Sequence, residues 1–285
     1  MTDLFDFKPK PAAYAVMGNP VAHSKSPQIH AAFARQCNQR MTYTAIQVDV
    51  GGFAQAVGNF QAAGGHGLNI TVPFKHEAWE LCDELSARAA QAKAVNTIMF
   101  RPDGAIYGDN TDGVGLLRDL VINHGACIAD RRVLVLGAGG AVRGMLGPLL
   151  NERPAQLVIA NRTPDKAREL AGEFAPAQVQ ACGYEDLSGL KFDLIINGTA
   201  ASLQGELPPL PDGVIAEGGW CYDLMYAQAP TIFMRWAWEQ GAEKVLDGLG
   251  MLVEQAAESF NLWRGVRPQT APVIEELRRD IGVAR

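Results

Sequence analysis

The sequence predicts an α/β protein of two domains, and three observations predict it. Short apolar runs alternate with helix-start signals from Tyr14 onward, the pattern of strand–helix repeats around a largely parallel sheet. The pattern restarts at Arg131, where the apolar run Arg132-Val133-Leu134-Val135-Leu136 leads into a glycine loop in mid-chain. The chain has 285 residues, enough for two such units. The expected division is an N-terminal domain over residues 1–111, a second α/β domain over 112–247 and C-terminal helices over 248–285.

In the first domain, Tyr14-Ala15-Val16-Met17 reads as a strand closed by Gly18-Asn19-Pro20. Ser26-Pro27 then reads as a helix start, with Ser26 as the N-cap and the helix running to about Cys37. A strand is expected over Tyr43–Val50, a helix over Phe53–Ala63 and a strand over Leu68–Val72. Pro73 is expected to open a helix that continues through Leu85. Val95–Phe100 and Ala105–Gly108 flank Pro102-Asp103-Gly104, which reads as a hairpin turn. In the second domain a helix to Leu150 follows the glycine loop. The strand Leu157–Ala160, a helix starting at Thr163-Pro164 and the strand Asp193–Ile196 come next. Gly250–Arg264 places Leu252, Ala256, Phe260 and Trp263 at helical spacing, an amphipathic helix whose partner periodicity does not reveal.

Composition excludes several classes. The net charge of -6 carries no basic stripe of the kind nucleic acids need. No apolar run is long enough to cross a bilayer, and the N-terminus lacks the apolar core of a signal peptide. The 5 cysteines are odd in number and form no C-x-x-C pair, which points to a reduced, cytoplasmic setting rather than a disulfide framework. The histidines form no H-x-x-x-H pair, and no metal site is expected.

The glycine loop is Gly137-Ala138-Gly139-Gly140-Ala141-Val142-Arg143-Gly144. Small residues there let a backbone approach a pyrophosphate, and the helix that follows aims its free N–H groups at the phosphates. The third glycine of the usual pattern is replaced by Val142. The alternative is a tight strand–helix turn, but the strand–loop–helix context is the one a dinucleotide requires. The next strand ends in Asn161-Arg162-Thr163, with Lys166 one turn on and no carboxylate at the tip. A site for NAD places an acid there; Arg162 instead suits a 2′-phosphate, which favours NADP(H), unless it is an ordinary surface arginine.

A nicotinamide cofactor implies hydride transfer, and a proton must move with the hydride. In the first domain Lys75, just after Thr71-Val72-Pro73-Phe74, and Asp112 of Gly108-Asp109-Asn110-Thr111-Asp112-Gly113 stand at loops beyond strand ends. In His23-Ser24-Lys25-Ser26-Pro27 two hydroxyls precede a helix, either as a carboxylate-binding corner or as a cap and a turn residue.

These blocks together resemble the shikimate dehydrogenase family from Tyr14 to about Ile281. The matching stretches are GNPVAHSKSP, NITVPFK, AVNT, GDNTDG, GAGGA, NRT, DLIING and DGLGMLVEQA. The resemblance implies a substrate domain, a Rossmann-type NADP domain and C-terminal helices that return to the first. It implies reversible reduction of 3-dehydroshikimate to shikimate, a step toward chorismate and the aromatic amino acids. It implies that Lys75 and Asp112 form the catalytic pair and that Ser24 and Ser26 hold the substrate carboxylate. Asn69, Thr71, Asn96 and Gln255 would bond ring hydroxyls, with Tyr226 near the substrate. The cofactor set would be Gly137, Ala138, Gly139, Gly140, Ala141, Asn161, Arg162, Thr163, Lys166, Thr199, Leu224 and Gly248. One departure stands out: Ala200-Ala201 follows Thr199, where the family often carries serines. Rival readings are a quinate/shikimate enzyme, NAD use, a non-catalytic binding module on the same fold, or another α/β dehydrogenase. Lys75 and Asp112 argue against the module, and HSKSP with GDNTDG against another dehydrogenase. The partner expected is a small molecule, with no nucleic acid and no membrane; monomer and homodimer both stay open.

Overall fold

Two six-stranded sheets, built one after the other along the chain, carry the fold. A computed structural model describes residues 10–174, 179–199, 201 and 205–282. The first sheet comes from β1 (Ala12–Gly18), β2 (Met41–Gln47), β3 (Gly65–Ile70), β4 (Glu84–Leu85), β5 (Thr97–Phe100) and β6 (Ile106–Asp109). Its order is β2-β1-β3-β5-β6-β4. β1 runs parallel to β2 and β3, while β5 is antiparallel to β3 and β6, so the expected hairpin around Pro102-Asp103-Gly104 is present. This arrangement brings the ends of β1, β3 and β6 and the start of β5 to one edge.

β1 is buried along nearly its whole length because helices cover both faces of the sheet. On one side lie α2 (Phe53–Ala62) and α3 (Lys75–Leu81), where Phe53 stacks on Phe74 with centroids 5.0 Å apart. On the other lie α1 (Ser26–Gln36), α9 (Leu249–Arg264) and α10 (Ala271–Ile281). Ile29 and Phe33 of α1 pack there with Val253, Ala257 and Phe260 of α9 and with Leu277 of α10. Each such side chain contributes about 1.5–3 kcal/mol on burial, and their contiguity draws the C-terminal helices back to the first sheet.

The second sheet is wholly parallel, in the order β12-β11-β10-β7-β8-β9. Its strands are β7 (Arg132–Leu136), β8 (Gln156–Ala160), β9 (Val179–Cys182), β10 (Phe192–Asn197), β11 (Ile215–Asp223) and β12 (Lys244–Leu246). Helices α6 (Gly140–Asn151), α7 (Pro164–Gly172) and α8 (Ile232–Glu239) connect them. The direction of winding reverses between β7 and β10, the crevice where open α/β sheets bind ligands. α5 (Asp112–Leu117) passes into a π-helical segment, Arg118–Asn123, and bridges the two sheets. α4 (Ala87–Ala92) completes the first unit.

Several boundaries differ from the sequence reading. β3 stops at Ile70, and Val72 is exposed in the loop before Pro73. α3 begins at Lys75, not Pro73, and ends at Leu81, because Cys82 turns extended and Glu84–Leu85 pairs with β6. β2 ends at Gln47 rather than Val50. β5 starts at Thr97, later than Val95. Ser26 is the first helical residue of α1, not its cap: Lys25 holds the N-cap position, and the Ser24 hydroxyl accepts the Ser26 N–H at 3.3 Å. The unforeseen α4 is capped by Ser86, whose hydroxyl accepts from the Ala89 N–H.

Candidate active site

The residues expected to do chemistry come from both sheet edges and from α9, and they meet at one cavity of about 450 Å3. Ser24, Ser26, Asn69, Thr71, Lys75, Asn96, Asp112, Tyr226 and Gln255 all line it, together with Ala141, Leu224 and Gly248. The other expected cofactor residues lie outside its wall, in the loops after β7, β8 and β10 and the first turns of α6 and α7.

Lys75 is the first residue of α3, placed beside β1 by a loop whose Thr71 N–H bonds the Met17 carbonyl at 2.9 Å. Its Nζ donates to Asp112 Oδ2 at 2.6 Å. The lysine side chain is 19% exposed and the aspartate 8%, so the pair is shielded yet reachable from the cavity. Asp112 opens α5 after a firmly tied loop. Asp109 takes two hydrogen bonds from Arg88, at 2.7 and 2.6 Å, and one from Ser86. Burial opposes the Asp109 charge, but Arg88 and Ser86 hold its carboxyl below the usual range. Asn110 donates to the Ala94 carbonyl at 2.9 Å. The second Asp112 oxygen accepts from Asn96 Nδ2 at 2.7 Å.

Asn69, the last residue but one of β3, is 6% exposed. Its oxygen accepts from the Tyr43 hydroxyl at 2.7 Å, and its nitrogen donates to Thr97 Oγ1 at 3.1 Å and Ser259 Oγ at 3.0 Å. Gln255, one turn before Ser259 on α9, presents Oε1 to Asn96 and Thr111, each at 3.4 Å. The Ser24/Ser26 corner sits at the start of α1, whose first N–H groups have no side-chain cap apart from the Ser24 contact. Burial raises the phenol pKa of Tyr226 at the far wall.

On the cofactor edge, Gly137 takes a φ of +103°, and a Cβ there would meet Thr199 and Gly198. A Cβ on Gly139 or Gly140 would meet nothing within 4 Å. The N-cap of α6 is Gly139, so its leading N–H groups have no side-chain cap. Val142, in the third glycine's place, is fully buried and packs where a Gly198 Cβ would go. Arg162 and Lys166 are exposed and make no ion pair among the described residues. Thr163 is the N-cap of α7, with no side-chain capping bond. The Thr199 hydroxyl donates to Asn197 Oδ1 at 2.7 Å. Ala200 and Ser202 lie outside the described residues. At the join, a Cβ on Gly248 would fall 2.0 Å from the Leu224 carbonyl oxygen, so only glycine lets α9 begin this close to the end of β11. These features fit a dinucleotide: bare N–H groups and open glycines for phosphates, and unpaired cations for a 2′-phosphate.

The sequence reading missed Tyr43, Thr97, Thr111 and Ser259. Thr97 and Thr111 sat inside quoted blocks, and Ser259 follows Gln255 at i+4, a spacing that could have found it. Tyr43 on an edge strand carried no signal.

Residues 16–98 match the shikimate dehydrogenase substrate binding domain. Residues 119–204 match the shikimate / quinate 5-dehydrogenase family, and 248–278 the shikimate 5′-dehydrogenase C-terminal domain. The chain is 58% identical over 274 residues to the shikimate dehydrogenase (NADP(+)) of Nitrosococcus oceani, covering 96% of this chain and 97% of that protein. It superimposes on an Ael1 enzyme from Pseudomonas putida with a TM-score of 0.88 and 49% identity, covering 93% of this chain and 98% of the other. Shikimate 5-dehydrogenase from Thermus thermophilus, in complex with NADP(H) and shikimate, gives a TM-score of 0.84 at 33% identity, covering 94% of this chain and 99% of the other. The chain belongs to the shikimate dehydrogenase family.

Proposed function

We propose that this chain catalyses the reversible NADP-dependent reduction of 3-dehydroshikimate to shikimate, in the biosynthesis of chorismate and aromatic amino acids. The observation that carries the reading is the Lys75–Asp112 pair, 2.6 Å apart, on the wall of a cavity that also holds the Ser24/Ser26 corner. Bound NADP(H) supplies or accepts the hydride. Lys75 gives its proton to the carbonyl oxygen during reduction and takes it back during oxidation. Asp112 orients the ammonium and balances its charge. Ser24, Ser26 and the start of α1 hold the substrate carboxylate. Asn69, Thr71, Asn96 and Gln255 take the ring hydroxyls, with Asn96 also steadying Asp112, and Tyr226 closes the far side.

Gly137, Ala138, Gly139, Gly140 and Ala141 would cradle the cofactor pyrophosphate. Asn161, Arg162, Thr163 and Lys166 would receive the 2′-phosphate end, and Thr199, Leu224 and Gly248 the nicotinamide end. The domain limits that suit this division are 1–111, 112–247 and 248–285. The partner is a small molecule, and the cytoplasm supplies its substrate. No helix among the described residues is long and apolar enough to cross a membrane.

The test is a four-way assay: shikimate or quinate as alcohol, NADP or NAD as acceptor. Turnover dominated by shikimate with NADP supports the reading. Dominant turnover of quinate, or with NAD, replaces it with the broader family activity, and no turnover in any arm refutes it.

A further inference from the structure

The hydrogen bonds behind the cavity form one connected chain. The Tyr43 hydroxyl donates to Asn69 Oδ1 at 2.7 Å. Asn69 Nδ2 donates to Thr97 Oγ1 at 3.1 Å, and Thr97 Oγ1 donates to Asn96 Oδ1 at 2.9 Å. Asn96 Nδ2 donates to Asp112 Oδ1 at 2.7 Å, and Lys75 donates to the other Asp112 oxygen at 2.6 Å.

This assignment gives each hydrogen an acceptor. The Asn69 amide nitrogen meets Thr97 Oγ1 and Ser259 Oγ, with the Asn96 carbonyl also 3.3 Å away. The Ser259 hydroxyl then donates back to the Gln255 carbonyl at 3.1 Å, one turn earlier on α9. The Thr97 hydroxyl lies 2.8 Å from Ser259 Oγ and 2.9 Å from Asn96 Oδ1, which also accepts the Thr111 N–H at 2.8 Å. Turning Asn96 by 180° would set its N–H against the Thr111 N–H and its oxygen against Asp112 Oδ1, and turning Asn69 would set its oxygen against the Asn96 carbonyl, which lies 3.3 Å from Nδ2. Each buried clash of that kind is unfavourable by more than a single lost hydrogen bond.

Neither Tyr43 nor Thr97 lines the cavity. Thr97 is completely buried, in register between Asn69 of β3 and Asp109 of β6. Tyr43 lies flat against His30, with ring centroids 4.2 Å apart and an interplanar angle of 8°. Burial raises the Tyr43 pKa well above its ordinary value, with the Ser26 hydroxyl a smaller opposing influence, so the phenol keeps its proton.

We propose that Tyr43 and Thr97 are positioning residues that lock the amides of Asn69 and Asn96, and through Asn96 hold the Asp112 carboxylate against Lys75. Tyr43 anchors the Asn69 oxygen, and Thr97 joins Asn69 to Asn96 and so to the proton-transfer pair. The kinetic half of the proposal rests on the dehydrogenase reading above; the amide half does not.

The test uses three variants of the full chain. Thr97→Val keeps the side-chain shape without the hydroxyl. Thr97→Ser keeps the hydroxyl without the methyl. Tyr43→Phe keeps the ring stack alone. Thr97→Val is expected to lower kcat for shikimate oxidation roughly tenfold, with the KM for NADP within about twofold, while Thr97→Ser stays within about twofold of wild type. Tyr43→Phe is expected to raise the KM for shikimate about fivefold and to change kcat less. In parallel, hydrogen exchange of the Asn69 and Asn96 side-chain amides is followed by NMR. Protection is expected in the wild type and in Thr97→Ser, with loss at both amides in Thr97→Val. Equal kcat for the valine and serine variants, or amides equally protected in both, overturns the proposal. A wild type that turns over no shikimate refutes the dehydrogenase reading, and the amide exchange then decides the positioning role alone.

Discussion

The two sheet edges that face the cavity are finished to different degrees. On the first, the side chains around the reacting pair already have partners inside the protein: Lys75 with Asp112, Asp112 with Asn96, Asn69 with Tyr43, Thr97 and Ser259. On the second, the α6 N-terminus has no side-chain cap, Gly139 and Gly140 face open space, and Arg162 and Lys166 make no ion pair among the described residues. The chemical edge is preorganised, so groups that must meet a reacting oxygen are aligned in advance. The cofactor edge presents donors and cations that a dinucleotide's own phosphates would satisfy. Chemistry needs fixed geometry, whereas cofactor exchange needs contacts that form and release.

Breaking the finished edge should have the largest effect. Asp112→Asn removes the anion beside Lys75 and is expected to lower kcat by about 10²- to 10³-fold, with the KM for shikimate changed only a few-fold. Steady-state kinetics over both substrates separates these. A loss confined to KM would move Asp112 from chemistry to binding.

Breaking the bare edge should cost less and act elsewhere. Arg162→Ala is expected to raise the KM for NADP about 10- to 100-fold, the range for a lost charge-assisted hydrogen bond, and to leave the KM for NAD unchanged. An equal rise for both cofactors would mean that Arg162 holds adenine rather than the 2′-phosphate.

The aromatic layer under the finished edge predicts a pH dependence of stability. Burial lowers the pKa of His30 to about 3, against a weaker opposing contact from Asn69. His30 therefore stays neutral in the fold while the unfolded chain protonates it below about pH 6.5. The unfolded state binds the extra proton, so His30 disfavours folding as pH falls from about 6.5 toward 3 and has no such effect at higher pH. Its share of the slope approaches about 1.4 kcal/mol per pH unit in that window. Denaturant titrations from about pH 7 to about pH 4 should show a shallower loss for His30→Phe than for the wild type.

The smallest effect sharpens the comparison within the glycine loop. Gly137→Ala places a Cβ at a φ of +103° and is expected to destabilise the fold by about 1 kcal/mol or more. Gly139→Ala meets open space with an ordinary φ of -86°, so the melting temperature should hold while the KM for NADP rises. Thermal melts beside cofactor titrations distinguish the two.

How much of this was legible in the sequence follows the same divide. Strand–helix alternation and the glycine loop gave most of the first sheet and β7, β8 and β10 of the second, because apolar periodicity and turn chemistry are local, but β9, β11, β12, α8 and α10 were not read. In the first sheet the short pieces were lost: Glu84–Leu85 is a strand only because β6 lies beside it, and Ala87–Ala92 is a helix of six residues. At the site, Lys75, Asp112 and the serine corner stood out because loops past strand ends rarely need such residues. Tyr43 and Thr97 did not, since their importance comes from what the register sets beside them. Thr97 faces Asn69 across β3 and β5, a pairing the sequence does not display. Ser26 was misplaced by one position, because Ser-Pro fits a cap followed by the first helical residue as well as it fits the first two helical residues.

The most direct test of the central claim is Lys75→Ala, with shikimate affinity measured by calorimetry and turnover measured in the presence of NADP. The account predicts a Kd for shikimate within a few-fold of wild type and a kcat lowered by about 10²- to 10⁴-fold, the range for a lost general acid. A Kd that rises as far as turnover falls, or a kcat that survives, would contradict it and leave Lys75 as a binding residue at the tip of a strand.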